Sequence, residues 1–275
     1  MIQFIKKFFF FACLGAIAVS IGCAKNPNKK VVIKGSTTVL PITQRTTEEF
    51  RKSNKIPITI EGSGSGNGIK ALIDGTCDIA NSSREMKSEE KEAAKNKGIE
   101  VEEIAVAIDM IVPVVNTANP VQNITMAQLK AIYDGSITNW KQLGGKDENI
   151  VCISRDTSSG TYEIWYEKVM KKTDVRSDAL LQASNGTIVS AVAGNPKAIG
   201  YIGYGYIDSS VKPLIVDKVV PTIDNGKSGL YPISRKLYKV VNKNNLSAEA
   251  KKYIDYVLSP EGQKYVKEKG FISVD

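Results

Sequence analysis

Apolar residues fall in short blocks along the chain, and most blocks run into a Gly, Ser or Thr cluster followed by apolar positions three and four residues apart. Val31-Val32-Ile33 predicts a strand that turns through Gly35-Ser36-Thr37-Thr38 into a helix over 41–50. A second strand over 58–60 feeds Ser63-Gly64-Ser65-Gly66-Asn67-Gly68 and a helix carrying Ile69, Leu72 and Ile73, closed by Asp74-Gly75. Ile79-Ala80 is strand-like, and a charged helix over 89–97 stops at Gly98. Strands alternating with helices predict an α/β fold with a mostly parallel sheet.

From 104 to 115 the chain is almost continuously apolar, interrupted by Asp109 and Pro113, and long enough to cross from one lobe to another. Asn116 opens a second unit, with a helix through Ala127, Leu129 and Ile132, the Asp134-Gly135 turn and a polar loop reaching Asn149. The strand over 151–154 delivers Arg155 and the segment Asp156-Thr157-Ser158-Ser159-Gly160-Thr161 at its end, and Tyr162, Trp165 and Val169 then form a core stripe. The Tyr- and Gly-rich stretch 199–206 is assigned to packing beneath a cleft. A second long extended stretch over 230–241 is the return crossover. Helices close the chain: Ser247 caps the first, Ser259-Pro260 restarts it and Gly270 ends it.

The N-terminus changes the picture of where this body works. Lys6 and Lys7 precede an apolar run over 8–21 and then Gly22-Cys23, the layout of a secretory signal over 1–22. Ser20-Ile21-Gly22-Cys23 has the small-residue spacing of a lipoprotein signal, with Cys23 acylated and residues 23–30 forming a polar tether. No later run reaches the roughly 18 apolar residues of a membrane helix. The formal charge of +8 becomes +6 once Lys6 and Lys7 leave. That surplus reads as a solvated surface, because no Lys/Arg cluster interleaves with aromatics as nucleic-acid binding requires. Cys77 and Cys152 remain after Cys13 and Cys23 are assigned, either as buried free thiols or as a disulfide, which an exported compartment permits. The chain has no histidine and no metal-ligand spacing, which argues against a zinc site or any other cofactor.

Three Gly/Ser/Thr segments at strand-to-helix junctions point to one chemistry. Helix starts present free N–H groups and a positive dipole end, and small hydroxyls add donors without adding charge. A tetrahedral oxyanion needs a donor for each oxygen once it is taken out of water. Thr37, Thr38, Ser65, Ser82, Ser83, Ser159 and Thr161 are candidate donors, and Arg155 can grip two oxygens at once. Arg155 has a competing reading as an ion-pair partner of Asp156, and Arg84 one with Glu85. Asp78 reads as a cap on backbone.

The motifs Gly35-Ser36-Thr37-Thr38-Val39-Leu40-Pro41, Gly62 through Lys70, Asp78 through Glu85 and Arg155 through Thr161 resemble those of PstS-type phosphate-binding proteins. Ile199-Gly200-Tyr201, Tyr231-Pro232-Ile233-Ser234-Arg235 and Leu258-Ser259-Pro260-Glu261-Gly262 extend the resemblance from about Val31 to the end of the chain. It implies a type II periplasmic-binding-protein fold with two hinge strands and the ligand between lobes, one of residues 31–109 plus 233–275 and the other of residues 110–232. It implies a lipoprotein held at the periplasmic or extracellular face of a membrane, monomeric, without catalytic activity, that hands inorganic phosphate to the permease of an ABC transporter. Carried over by position, the phosphate contacts are Thr37, Thr38, Ser65, Arg155, Ser159, Gly160 and Thr161, with Ser83 and Arg84 as additions particular to this chain. Ser83 stands where well-known members carry an aspartate that accepts the proton of hydrogen phosphate; a hydroxyl accepts or donates, and does not repel a fully ionised anion. Receptors for sulfate, molybdate or another tetrahedral anion are the alternative within the class. An exported phosphoryl-transfer enzyme is the alternative outside it, opposed by the lack of a nucleophile with a base. A surface adhesin would leave the three donor segments unexplained.

Overall fold

The computed structural model describes residues 30–275, so the expected signal, Cys23 and nearly all of the tether lie outside the described residues. The chain opens with β1 (Val31–Gly35), α1 (Leu40–Ser53), β2 (Ile58–Gly62), α2 (Ser65–Ile73), β3 (Ile79–Ser82) and α3 (Ser88–Asn96). β2, β1 and β3 lie side by side in parallel. Val31 and Ile33 are fully buried, and α1 answers them with Ile42, Thr46 and Phe50 on one face. Pro41 sits in the first turn of α1, where its missing N–H has no partner to lose.

The long apolar run is β4 (Val101–Asn116), a single strand of 16 residues. Beyond it come β5 (Asn123–Ile124), α4 (Met126–Tyr133), β6 (Val151–Arg155), α5 (Gly160–Lys168), β7 (Leu180–Gln182), α6 (Asn185–Ala193), β8 (Ala198–Gly203), β9 (Val211–Pro213), β10 (Ile215–Val216) and α7 (Ile223–Lys227). The chain returns along β11 (Ser234–Asn242) and ends with α8 (Ala248–Leu258) and α9 (Pro260–Glu268). The main sheet runs β2-β1-β3-β11-β4-β8-β6-β7, with β9 added to β4.

β4 changes partner along its length. Residues 101–110 pair with β11, and residues 111–115 pair with β8. The ladder with β11 skips between Leu237 and Tyr238, which face Ala107 and Ala105, leaving Val106 as a bulge. The buried apolar side chains divide accordingly. One cluster draws only on residues from Met110 to Ile233, and the other three draw on residues up to Ala107 and from Leu237 onward. Two cores joined by β4 and β11 make the two-lobed fold that the sequence resemblance implies.

Several expectations shift in detail. Strand β11 begins only at Ser234, because Tyr231 and Pro232 close a turn after α7. The polar loop before Asn149 contains a 3-10 turn, Trp140–Leu143, whose buried indole N–H donates to Lys197 O. Cys77 and Cys152 belong to different cores and are free buried thiols, and burial pushes the Cys77 thiol up to about 12. Asp78 does cap backbone, accepting from Val32 N.

Candidate functional site

β1 ends at Gly35 with φ near +125°, and a side chain there would run into Asn81 O. That turn lets Ser36 N donate to Asn81 O, and it brings Ser63 N and Gly64 N onto Gly35 O. The first two Gly/Ser/Thr segments are therefore stitched to each other by backbone. α2 begins at Ser65, whose Oγ accepts from Ser83 N at 3.0 Å and lies 3.2 Å from Ser83 Oγ. Thr37, Thr38, Ser65 and Ser83 are all buried.

The third segment arrives from the other lobe. Ser159 caps α5, its Oγ accepting from Thr161 N and Tyr162 N. Gly160 follows, and a Cβ on it would stand 2.5 Å from Ser65 Oγ and 2.7 Å from Ser83 Oγ, so only glycine allows this approach. Thr161 Oγ1 lies 3.0 Å from Thr38 Oγ1. Gly66 N donates to Ser158 O at 3.0 Å, and the Tyr206 hydroxyl donates to Thr37 O. Segments distant in sequence thus meet at one buried spot, at the starts of α2 and α5.

The arginines are placed differently. Arg155 is 1% exposed. Its Nε and Nη2 donate to the carbonyls of Gln182 and Ala183, and its Nη1 has no hydrogen-bond partner among the described residues. It makes no ion pair with Asp156, which instead accepts from Ser158 N and Oγ. Burial lowers the Arg155 pKa. Its charge is felt by Arg235 and Tyr206, both of which bond to the Thr37-Thr38 turn. Arg84 is held otherwise, with Nη1 and Nη2 on the two oxygens of Glu90 at 2.7 and 2.8 Å.

Two members of the site carry no obvious signal in the sequence. Arg235 on β11 donates from Nη1 to Thr161 Oγ1 at 3.0 Å and from Nη2 to Thr38 Oγ1 at 3.3 Å. It is clamped by Asp109 of β4, at 3.1 Å from Nε and 2.8 Å from Nη2. Burial raises the Asp109 carboxyl and lowers the Arg235 guanidinium, while the bonds between them work the other way. Asn185 at the start of α6 donates to Thr37 Oγ1 and Thr38 Oγ1 at 3.2 and 3.1 Å, and its Oδ1 accepts from Gly203 N. A charge breaking the apolar run at Asp109, and an arginine within the Tyr231–Arg235 motif, were the available hints.

Behind the site Lys239 is fully buried on β11, donating to Asn81 Oδ1 and Thr43 Oγ1 at 3.0 and 3.2 Å, and burial pushes it down to about 7. Tyr201 packs beneath, stacked on Trp165 with ring centroids 4.1 Å apart, and its hydroxyl accepts from Arg155 N. Among the described residues no cluster of His, Cys, Asp or Glu is placed to hold a metal ion.

This chain can be compared with known proteins. The PBP superfamily domain matches residues 24–261. The phosphate-binding protein PstS of Borreliella burgdorferi is 32% identical, over 98% of this chain and 99% of its own length. The structure of a putative phosphate ABC transporter substrate-binding protein of Clostridium perfringens with bound phosphate is 38% identical, at a TM-score of 0.85, covering 90% of this chain and all of that one. An ABC-type phosphate transport receptor from Vibrio cholerae is 33% identical, at a TM-score of 0.72, covering 88% of this chain and 99% of that one.

Proposed function

Because the chain belongs to the PBP superfamily and, within it, to the PstS-type phosphate-binding proteins, we propose that it captures inorganic phosphate outside the cytoplasmic membrane and delivers it to an ABC permease. Capture takes place as the lobes, residues 31–109 with 233–275 and residues 110–232, close over the anion and the closed form gains contacts from both. The contacts are Thr37, Thr38, Ser65 and Ser83 from one lobe and Arg155, Ser159, Gly160 and Thr161 from the other. Arg84, the further contact expected from the sequence, has both Nη groups on Glu90 and is not counted among them. An acylated Cys23 holds the monomer at the membrane surface.

One observation carries this reading. Arg155 is a buried cation with no carboxylate on it and one nitrogen unpartnered, at the end of the strand that delivers the third donor segment. Buried charge is costly unless it is paired, and a small anion among the donors supplies that pair. A binding role without turnover agrees with contact hydroxyls whose hydrogen-bond partners are other hydroxyls, amides and a guanidinium. Among the described residues the one carboxylate bonded to a hydroxyl of these segments, Asp156, holds Ser158, which is outside the contact set. Calorimetric titration with phosphate and with sulfate at two pH values tests the reading: phosphate binds more tightly, whereas equal affinity for sulfate replaces the assignment with a general tetrahedral-anion receptor.

A further inference from the structure

The threonine hydroxyls at the centre of the site are not free to choose between donating and accepting. A guanidinium has donors only, and the Asn185 amide is oriented by Gly203 N, which donates to Oδ1 and so leaves Nδ2 facing the threonines. Thr38 Oγ1 receives one bond from Asn185 Nδ2 and one from Arg235 Nη2. Both of its lone pairs are then occupied, so in its 3.0 Å contact with Thr161 Oγ1 it is Thr38 that donates. Thr161 Oγ1 in turn receives Thr38 and Arg235 Nη1, which fills its own lone pairs. Its proton has nowhere to go but the ligand. By contrast Ser83 Oγ touches only Ser65 Oγ and keeps both options.

We infer that Arg235 and Asn185 are positioning residues that fix Thr38 as the donor to Thr161, and through it Thr161 as an obligate donor to the ligand, so that this end of the site accepts a deprotonated oxygen and rejects a ligand hydroxyl. The inference rests on the anion-binding function proposed above and adds which protonation state is taken. A monohydrogen phosphate has one proton, which the Ser65–Ser83 end can receive. A dihydrogen phosphate has two, and the second must face a donor with no lone pair to offer, leaving two donors opposed. The arginine sits on β11 and its carboxylate partner on β4, so the polarity of the pocket is set by the crossing strands and not by the loops that line it.

The test reads phosphate affinity at pH 8.5 and 5.5 relative to sulfate, which stays fully ionised over this range. The titratable groups facing Arg235 are Asp109 on β4, Lys168 on α5, Arg155 on β6 and Tyr201 on β8. Lys239 lies behind the site. Any charge change among them alters sulfate binding too, and drops out of the ratio. In the unaltered protein phosphate weakens against sulfate by about tenfold or more on going to pH 5.5, the scale of one opposed donor pair. In the paired variant Asp109→Leu with Arg235→Met, which removes the ion pair without leaving a buried charge, that change shrinks to within about threefold. Asn185→Ala, which keeps the ion pair and removes one donor to Thr38, reduces it part of the way. A folded variant of either kind that keeps the full relative pH dependence overturns the inference. Unaltered protein that binds neither anion at either pH overturns the proposed function, and this inference with it.

Discussion

Arg84 and Arg155 invite comparison, since each is buried, each lies at or just past the end of a strand of the sheet, and each lies beside a Gly/Ser segment. At Arg84 burial works to lower the pKa, but the bonds and charge of Glu90 outweigh it, and the net shift is upward. Glu163 of α5 stands 3.9 Å from Arg84 Nε and also takes Lys87 at 2.6 Å. At Arg155 the same burial meets only carbonyl oxygens, and the pKa falls. The first arginine has its charge met inside the protein by Glu90, although its Nε, like Arg155 Nη1, has no hydrogen-bond partner among the described residues, and it joins α3 to the cleft. The second has no carboxylate bonded to it and keeps Nη1 without a partner among the described residues. On the function proposed above, what marks a buried cation as a ligand contact is the absence of a bonded carboxylate together with a place beside the donor segments, and both are properties of tertiary structure.

Three experiments press on the difference. The largest effect is expected from Arg155→Met, which should weaken phosphate binding by about 2–5 kcal/mol, the range for removing one partner of a buried charge pair. Urea unfolding of the same variant without anion should show little loss of stability, since removal of an unpaired buried charge offsets the two bonds lost to Gln182 O and Ala183 O. A larger binding loss from Arg84→Met would reverse the comparison. Next, Glu90→Gln puts Arg84 in the condition of Arg155. It should lower stability by about 1–3 kcal/mol, because the guanidinium loses its charged acceptor. The shortfall should narrow when sulfate is added, and a thermal melt insensitive to sulfate would count against a vacated Arg84 behaving as an anion seat.

The smallest effect concerns a third buried cation, Lys239, which is neither paired with a carboxylate nor open to the ligand. Its folded pKa, about 7, lies below its unfolded value near 10.5. Between those values the unfolded chain holds the extra proton, so stability rises with pH across that window and is lowest below about pH 7. The slope it contributes is at most ~1.4 kcal/mol per pH unit. Lys239→Met should remove this slope, as measured by urea unfolding at pH 6.5 and pH 9, and an unchanged slope would show that Lys239 keeps its charge in the folded protein.

The donor segments were legible because their signal is local. Gly35, Ser65, Ser159 and Gly160 act where a strand becomes a helix, and that junction is written in neighbouring residues. The long strand β4 was legible for the same reason, as an unbroken apolar run. Asn185 was not, because Ser184-Asn185-Gly186-Thr187 reads as a turn, and the strand before it has exposed Leu180 and Leu181 with no alternation to mark it. Arg235 and Asp109 were visible only as charges in apolar surroundings. Their pairing depends on the register of β11 against β4, which joins residues 126 positions apart. The fate of Arg84 likewise turned on Glu90, six residues on but in another element.

The lobe closure proposed above requires β4 and β11 to bend together, and the bulge at Val106 is where their ladder is locally disrupted. A strand rises about 3.3 Å per residue, so Asp109, three positions along β4, sits only ~10 Å from it. A rotation concentrated there sweeps Asp109 and Arg235 through a short arc while the tips of the lobes travel far. On that geometry the Asp109–Arg235 clamp would stay assembled as the halves part, with Thr38 leaving one flank and Thr161 the other.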